Sequence, residues 1–123
     1  MARNDAVNWF EIPCTQLSRA ASFYERMTGL TLKRERFMDV PHAIFTAPGV
    51  GGALVEDSTN APSPTGQRVF LNAAGELDAW LARVEAAGGR VLLPRTDIGP
   101  PGHIAIIQDT EGNHVGLHAP RAG

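Results

Sequence analysis

The amino-acid sequence predicts an α+β protein built from two tandem βαβββ modules. Three observations carry this reading. The halves align under an ungapped shift of 60 residues; each half opens with a short strand followed by an apolar helical stripe; and each then runs through three short β-rich segments divided by Pro and Gly. Under the shift Phe10 falls on Phe70, Leu17 on Leu77, Gly29 on Gly89, Leu32 on Leu92, Pro41 on Pro101, Ile44 on Ile104, Gly52 on Gly112 and Val55 on Val115. A chain of 123 residues has room for one ordinary domain. Neither half buries enough by itself, so the modules, at 7–56 and 67–119, share their sheets. The stretch between them, 57–66, holds Pro62, Ser63, Pro64 and Gly66 and reads as a linker.

The first half begins with a strand over Asn8 to Ile12. Thr15 and Ser18 offer capping hydroxyls before a helix from about Ser18 to Thr28, in which Leu17, Ala20, Ala21, Tyr24 and Met27 form one stripe. Gly29 supplies the left-handed residue that closes it. Strands are then expected over Leu30 to Arg34, Ala43 to Thr46 and Gly52 to Glu56. The second half repeats the order: Arg68 to Asn72 as strand, a helix from about Glu76 with Leu77, Trp80, Leu81 and Val84 inward, and Gly88-Gly89 at its end. Strands follow over Arg90 to Leu93, His103 to Gln108 and His114 to His118, with Pro41, Pro94 and Pro100-Pro101-Gly102 read as turn residues.

Composition narrows the function. Eleven basic and 13 acidic side chains give a net charge of −2, and the densest cluster, Lys33-Arg34-Glu35-Arg36, contains an acid. No concentrated basic face is available for nucleic acid. No apolar run approaches the length of a membrane span, and Met1 to Asp5 lack the apolar stretch of a secretory signal, so the expected compartment is the cytoplasm. A lone cysteine, Cys14, excludes an intrachain disulfide and a cysteine-built zinc site.

Three segments carry a family resemblance: Trp9-Phe10-Glu11-Ile12-Pro13 running through Leu17, Ala20 and Phe23-Tyr24 to Gly29; Leu77-Asp78-Ala79-Trp80 through Glu85-Ala86-Ala87-Gly88-Gly89; and Asp109-Thr110-Glu111-Gly112-Asn113 with Gly116-Leu117. With the duplicated βαβββ order, the chain resembles the vicinal oxygen chelate superfamily of glyoxalases, bleomycin-resistance proteins and extradiol dioxygenases. The resemblance implies curved mixed sheets around a U-shaped cavity, commonly in a homodimer, and spans isomerases, thiol transferases, ring-cleaving dioxygenases, epimerases and metal-free drug-binding proteins. It also implies metal ligands on the first and last strands of each module. Here those positions read Trp9, Val69 and Gly116, with Glu56 as the fourth in the ungapped register, or Ala53 if a gap falls in the Pro48 to Gly52 turn. At most one of four ligands survives, and one carboxylate is no metal site. The expectation is therefore a protein that binds a small organic molecule without the metal. The alternative is a lyase, isomerase or dioxygenase with a divalent ion at a shifted position.

Side chains two apart share a strand face. If Trp9 and Gly116 face the cavity, Glu11, His114 and His118 join them, while Phe10, Ile12, Val115 and Leu117 pack under the helices. The candidate ligand-binding set is thus Trp9, Glu11, Glu56, His114 and His118, with Glu11 and His114 as candidate acid and base. Two readings of Glu11 stand, a functional carboxylate or a structural ion pair. His114 and His118 are either functional or amphipathic filler. His42 and His103 read as solvated loop residues, Trp80, Tyr24 and Phe23 as core, Cys14 as a structural thiol, and Pro48 to Gly52 as a β-turn.

Overall fold

The computed structural model describes residues 6–121. The first module holds β1 (Trp9–Pro13), α1 (Leu17–Thr28), β2 (Lys33–Phe37), β3 (Val40–Phe45) and β4 (Gly51–Val55). The second holds β5 (Phe70–Asn72), α2 (Leu77–Arg83), β6 (Arg90–Asp97), β7 (His103–Gln108) and β8 (His114–Ala119). Each module forms one four-stranded mixed sheet, in the orders β1-β4-β3-β2 and β5-β8-β7-β6. The first strand of each module pairs in parallel with the last, and the remaining pairs are antiparallel.

Strand alternation sets which side chains meet the helices. Ile12, Leu54, Leu71, Val115 and Leu117 are buried in one continuous core with Phe23, Tyr24 and Met27 of α1 and Leu77 and Trp80 of α2. Residues of both modules thus contribute to a single apolar interior, as the small size of each half requires.

Several element boundaries move for physical reasons. The second strand starts at Lys33, later than expected, because Leu32 is buried in the core and leads the chain off the helix. The charged run Lys33 to Arg36 is then the free edge of its sheet, where charge discourages pairing with another strand. Pro94, expected in a turn, lies inside β6, which is also an edge strand and shifts register between Leu93 and Thr96, so its missing N–H is tolerated. Pro41 likewise sits near the start of β3. Neither Thr15 nor Ser18 caps α1. Its exposed N–H groups are satisfied by distant acids, Glu56 at Leu17 (2.7 Å) and Glu111 at Thr15 (2.9 Å) and Gln16 (3.2 Å). Gly29 closes the helix in the left-handed region (φ 77°), its N–H on the Glu25 carbonyl.

Candidate functional site

The face of the first sheet turned away from the helices is built by register. Glu11 pairs with Ala53, Ala53 with Ile44, and Val55 with His42, so Glu11 and His42 share that face. The Trp9 indole N–H donates to Glu11 Oε2 at 3.4 Å, and His42 Nε2 stands 3.9 Å from the same oxygen. His42 Nδ1 lies 2.8 Å from the Val40 carbonyl. A carbonyl only accepts, so Nδ1 carries the hydrogen and Nε2 is the nitrogen turned toward the carboxylate. Phe37 meets the His42 ring edge-on with centroids 4.9 Å apart. The side chain of Glu11 is 45% exposed, whereas that of His42 is 9% exposed. A screened imidazole beside a wet carboxylate suits proton transfer or hydrogen-bonding to a polar ligand.

His42 was expected in a solvated loop. It lies instead on β3, because that strand begins at Val40, three residues earlier than the expected start at Ala43. Its pairing with Val55 was the available signal, but it depends on the β3–β4 register, which the sequence leaves open.

In the second module His114, Gly116 and His118 share the corresponding face with Phe70, Ile104 and Ile106. His114 Nε2 lies 3.3 Å from the Gln108 amide oxygen. His118 Nε2 lies 2.8 Å from the Pro101 carbonyl, which makes it a tie for that loop. His103, expected as a solvated residue at a strand entrance, does open β7 but is half-buried, with Nε2 3.7 Å from an Asp97 carboxylate oxygen.

The structure also resolves the register of the two halves. Cys14 N–H bonds the Val55 carbonyl three residues before α1, whereas Ala73 N–H bonds the His118 carbonyl four residues before α2. The first strands therefore slip by one against the ungapped alignment. Val69 packs on the core and Phe70 takes the position equivalent to Glu11. By the same bonds the counterpart of Gly116 is Ala53, not Glu56. Glu56 lies on the helix side with Leu54, its carboxylate on the Leu17 N–H, and so does not join the Glu11 group. Its even spacing from Gly52 and Leu54 puts it on their face once the gap is placed.

Glu11 and His114 line one cleft of ≈ 300 Å³, together with Pro13, Gln67, Asn113 and the linker residue Ser63. Trp9 adjoins the cleft through its bond to Glu11, and His118 sits further along β8. Among the described residues, no three His, Cys, Asp or Glu side chains gather in a set able to hold a metal ion.

The wall behind the cleft is rigid for a reason the sequence reading missed. Asp109 accepts the Tyr24 hydroxyl at 2.7 Å and the N–H groups of Glu111 and Asn113. Asn113 Nδ2 donates to the Pro13 carbonyl at 2.7 Å, and its Oδ1 accepts the Ser63 N–H at 3.1 Å. The carboxylate of Glu111 is fully covered and pairs with Arg19 at 2.7 Å. Burial alone would raise its pKa, but Arg19, the Thr15 and Gln16 N–H groups and the Thr110 hydroxyl hold it down at about 2. The Asp109 to Asn113 turn thus fastens β1 and α1 to the second module. Cys14 beside it is buried, and burial, with the charges of Glu111, Glu56 and Asp109, pushes its thiol up to about 12. That is the chemistry of an inert, structural thiol.

With fold and site in place, the family follows: residues 6–117 match the Glyoxalase/Bleomycin resistance protein/Dioxygenase superfamily, and the chain belongs to it. The chain is 30% identical over 129 residues to CFP32 of Mycobacterium bovis, a protein whose name includes the word glyoxylase, covering 94% of this chain and 46% of that one. The chain thus spans about half the length of this curated relative. It is also 30% identical to a glyoxylase-like domain-containing protein of Didymella fabae, covering 92% of each chain. Among solved structures, a glyoxalase/bleomycin resistance protein from Albidiferax ferrireducens superposes with a TM-score of 0.77 at 15% identity, over 95% of this chain and all of the other. The fosfomycin resistance protein FosX of Listeria monocytogenes gives 0.71 at 15% identity, over 98% and 94%. At these identities the structural likeness is one of fold.

Proposed function

We propose that this member of the superfamily binds a small organic molecule at the cleft carrying Glu11 and His114, and does so without the metal its fold family commonly uses. One observation carries the reading: Glu11 is a wet carboxylate held between an indole N–H and a nearly buried imidazole at the wall of a cleft. Such a group anchors a polar or cationic end of a ligand, and Trp9 offers an aromatic face beside it. Where the ligand has an acidic C–H or O–H, Glu11 and His42 are placed to move its proton. The donor set does not fit a divalent ion. The equivalent positions on the four strands are Trp9 or Glu11, Ala53, Arg68 or Phe70, and Gly116, of which one carboxylate alone is a ligand.

A ligand screen by thermal shift, followed by titration of any hit, tests the reading. Glu11→Gln is expected to weaken binding at least tenfold and His114→Ala several-fold, with melting temperatures of the free proteins near the wild-type value. Wild-type affinity in both variants would place the site elsewhere.

The same reading includes a homodimer in the cytoplasm. Trp9 and Phe37 are 43% and 50% exposed on the face of the first sheet opposite the helices, and a second copy with two-fold symmetry would cover them and deepen the cleft. Sedimentation at micromolar concentration is expected to give twice the monomer mass; a stable monomer would refute this part.

A further inference from the structure

The segment between the modules, 57–67, is held to the rest of the molecule by very little. Ser58 to Gln67 are exposed apart from the half-buried Pro62, and none of their side chains joins the apolar core. Among the described residues, one hydrogen bond ties the segment to another part of the chain: the Ser63 N–H donates to Asn113 Oδ1 at 3.1 Å. Its remaining bonds are internal, with Thr59 and Asn60 turned back on Asp57 and the Ser63 hydroxyl accepting the Thr65 N–H. Two cavities adjoin it. The Glu11 cleft of ≈ 300 Å³ and a second of ≈ 460 Å³, which reaches Cys14 and Glu56, are both lined by Asn60 and Ala61, so this stretch divides them.

A segment with few buried contacts and a single outside bond opens locally, at a cost well below that of global unfolding. One neutral hydrogen bond favours the closed arrangement by only about tenfold. The internal turns, with Pro62 and Pro64, keep the segment in one shape, so its motion concentrates at its ends. Gly66 supplies a joint there: its φ of 95° is a conformation that side chains disfavour, and a Cβ would meet nothing within 4 Å. Asn113, in contrast, is fixed by bonds to Asp109 and Pro13. The latch therefore has one rigid half and one movable half.

We propose that 57–67 is a strap whose release from Asn113 joins the two cavities and opens the Glu11 cleft to its ligand. Closed, the strap walls the cleft around the bound molecule. The gating role rests on the reading of that cleft as the ligand site, whereas the motion itself does not.

Cys14 is a built-in reporter of this motion, because it is 2% exposed and lines the second cavity together with the strap. Burial holds its thiol up at about 12 in the closed form, so thiolate forms readily only where water reaches it. The full chain is treated with iodoacetamide at increasing urea below the unfolding transition, and alkylation of Cys14 is followed by mass spectrometry. Opening of the strap exposes little surface and is expected to give a rate nearly independent of urea, whereas labelling through global unfolding climbs with the full denaturant slope. Ser63→Pro removes the latch N–H; Ser63 already precedes a proline and lies outside the left-handed region, so the backbone accepts the ring. This variant is expected to label at least threefold faster, with a melting temperature near the wild-type value. The urea dependence of the wild-type protein decides independently of the variant. A wild-type rate that follows global unfolding, or equal rates in the two proteins, would overturn the proposal. No ligand is used, so that failure would leave the Glu11 reading standing, and unchanged affinity in Glu11→Gln would leave the motion of the strap standing.

Discussion

At the scale of single residues, the acids of this chain divide by their surroundings. Glu11 stays wet and available, whereas Glu111 is covered and spends its oxygens on Arg19 and the start of α1. Because the folded-state pKa of Glu111 is about 2 against an ordinary 4.5, its contribution is complete above pH ~4.5 and is lost as pH falls toward ~2. Replacing Glu111 by Gln is expected to cost about 1–3 kcal/mol near neutral pH and to flatten the acid limb of the stability curve. Urea denaturation of both proteins at pH 7 and pH 3 measures this; an equally steep loss in the variant would show that another carboxylate governs acid unfolding.

At the scale of elements, each sheet contains a glycine covered by an aromatic ring from the neighbouring strand. A Cβ on Gly52 would stand 2.4 Å from the Phe10 ring, and one on Gly116 would stand 2.2 Å from the Phe70 ring. Distance alone predicts equal damage from alanine at either site, but the rings differ in freedom. Phe10 packs on the core against Phe45, with centroids 5.6 Å apart, whereas Phe70 is 46% exposed and turns aside into solvent. Gly52→Ala is therefore expected to cost about 2–3 kcal/mol and Gly116→Ala under about 1 kcal/mol. Thermal melts of the two variants decide it, and a reversed order would mean that the face of Phe70 is covered in the protein as it exists in solution.

At the scale of the whole molecule, the modules are held together by contacts that run through one turn. Tyr24 reaches Asp109, Arg19 reaches Glu111, and Asn113 reaches Pro13, each bond joining residues far apart in the chain. With a common core besides, the two halves are expected to unfold in a single transition. Asn113→Ala removes a buried donor to the Pro13 carbonyl and should lower stability by about 1–3 kcal/mol while keeping that transition single. Two resolved steps in calorimetry would show that the modules are independent.

Much of this protein could be read from the chain itself. The helical stripes through Tyr24 and Trp80 and the Gly29 stop depend on neighbours three to four residues apart, so they were legible without a structure, as was the sharing of faces by Trp9 with Glu11 and by His114 with His118. What only the tertiary structure decided depends on pairing between distant segments. A one-residue difference in the passage from first strand to helix turned Phe70 outward where Phe10 points inward, a gap before β4 set Ala53 rather than Glu56 opposite Gly116, and the β3–β4 register brought His42 to Glu11. The physical reason is the two-residue period of a strand: a slip of one residue exchanges its faces, and that slip is fixed by hydrogen bonds to another strand rather than by anything local to the sequence.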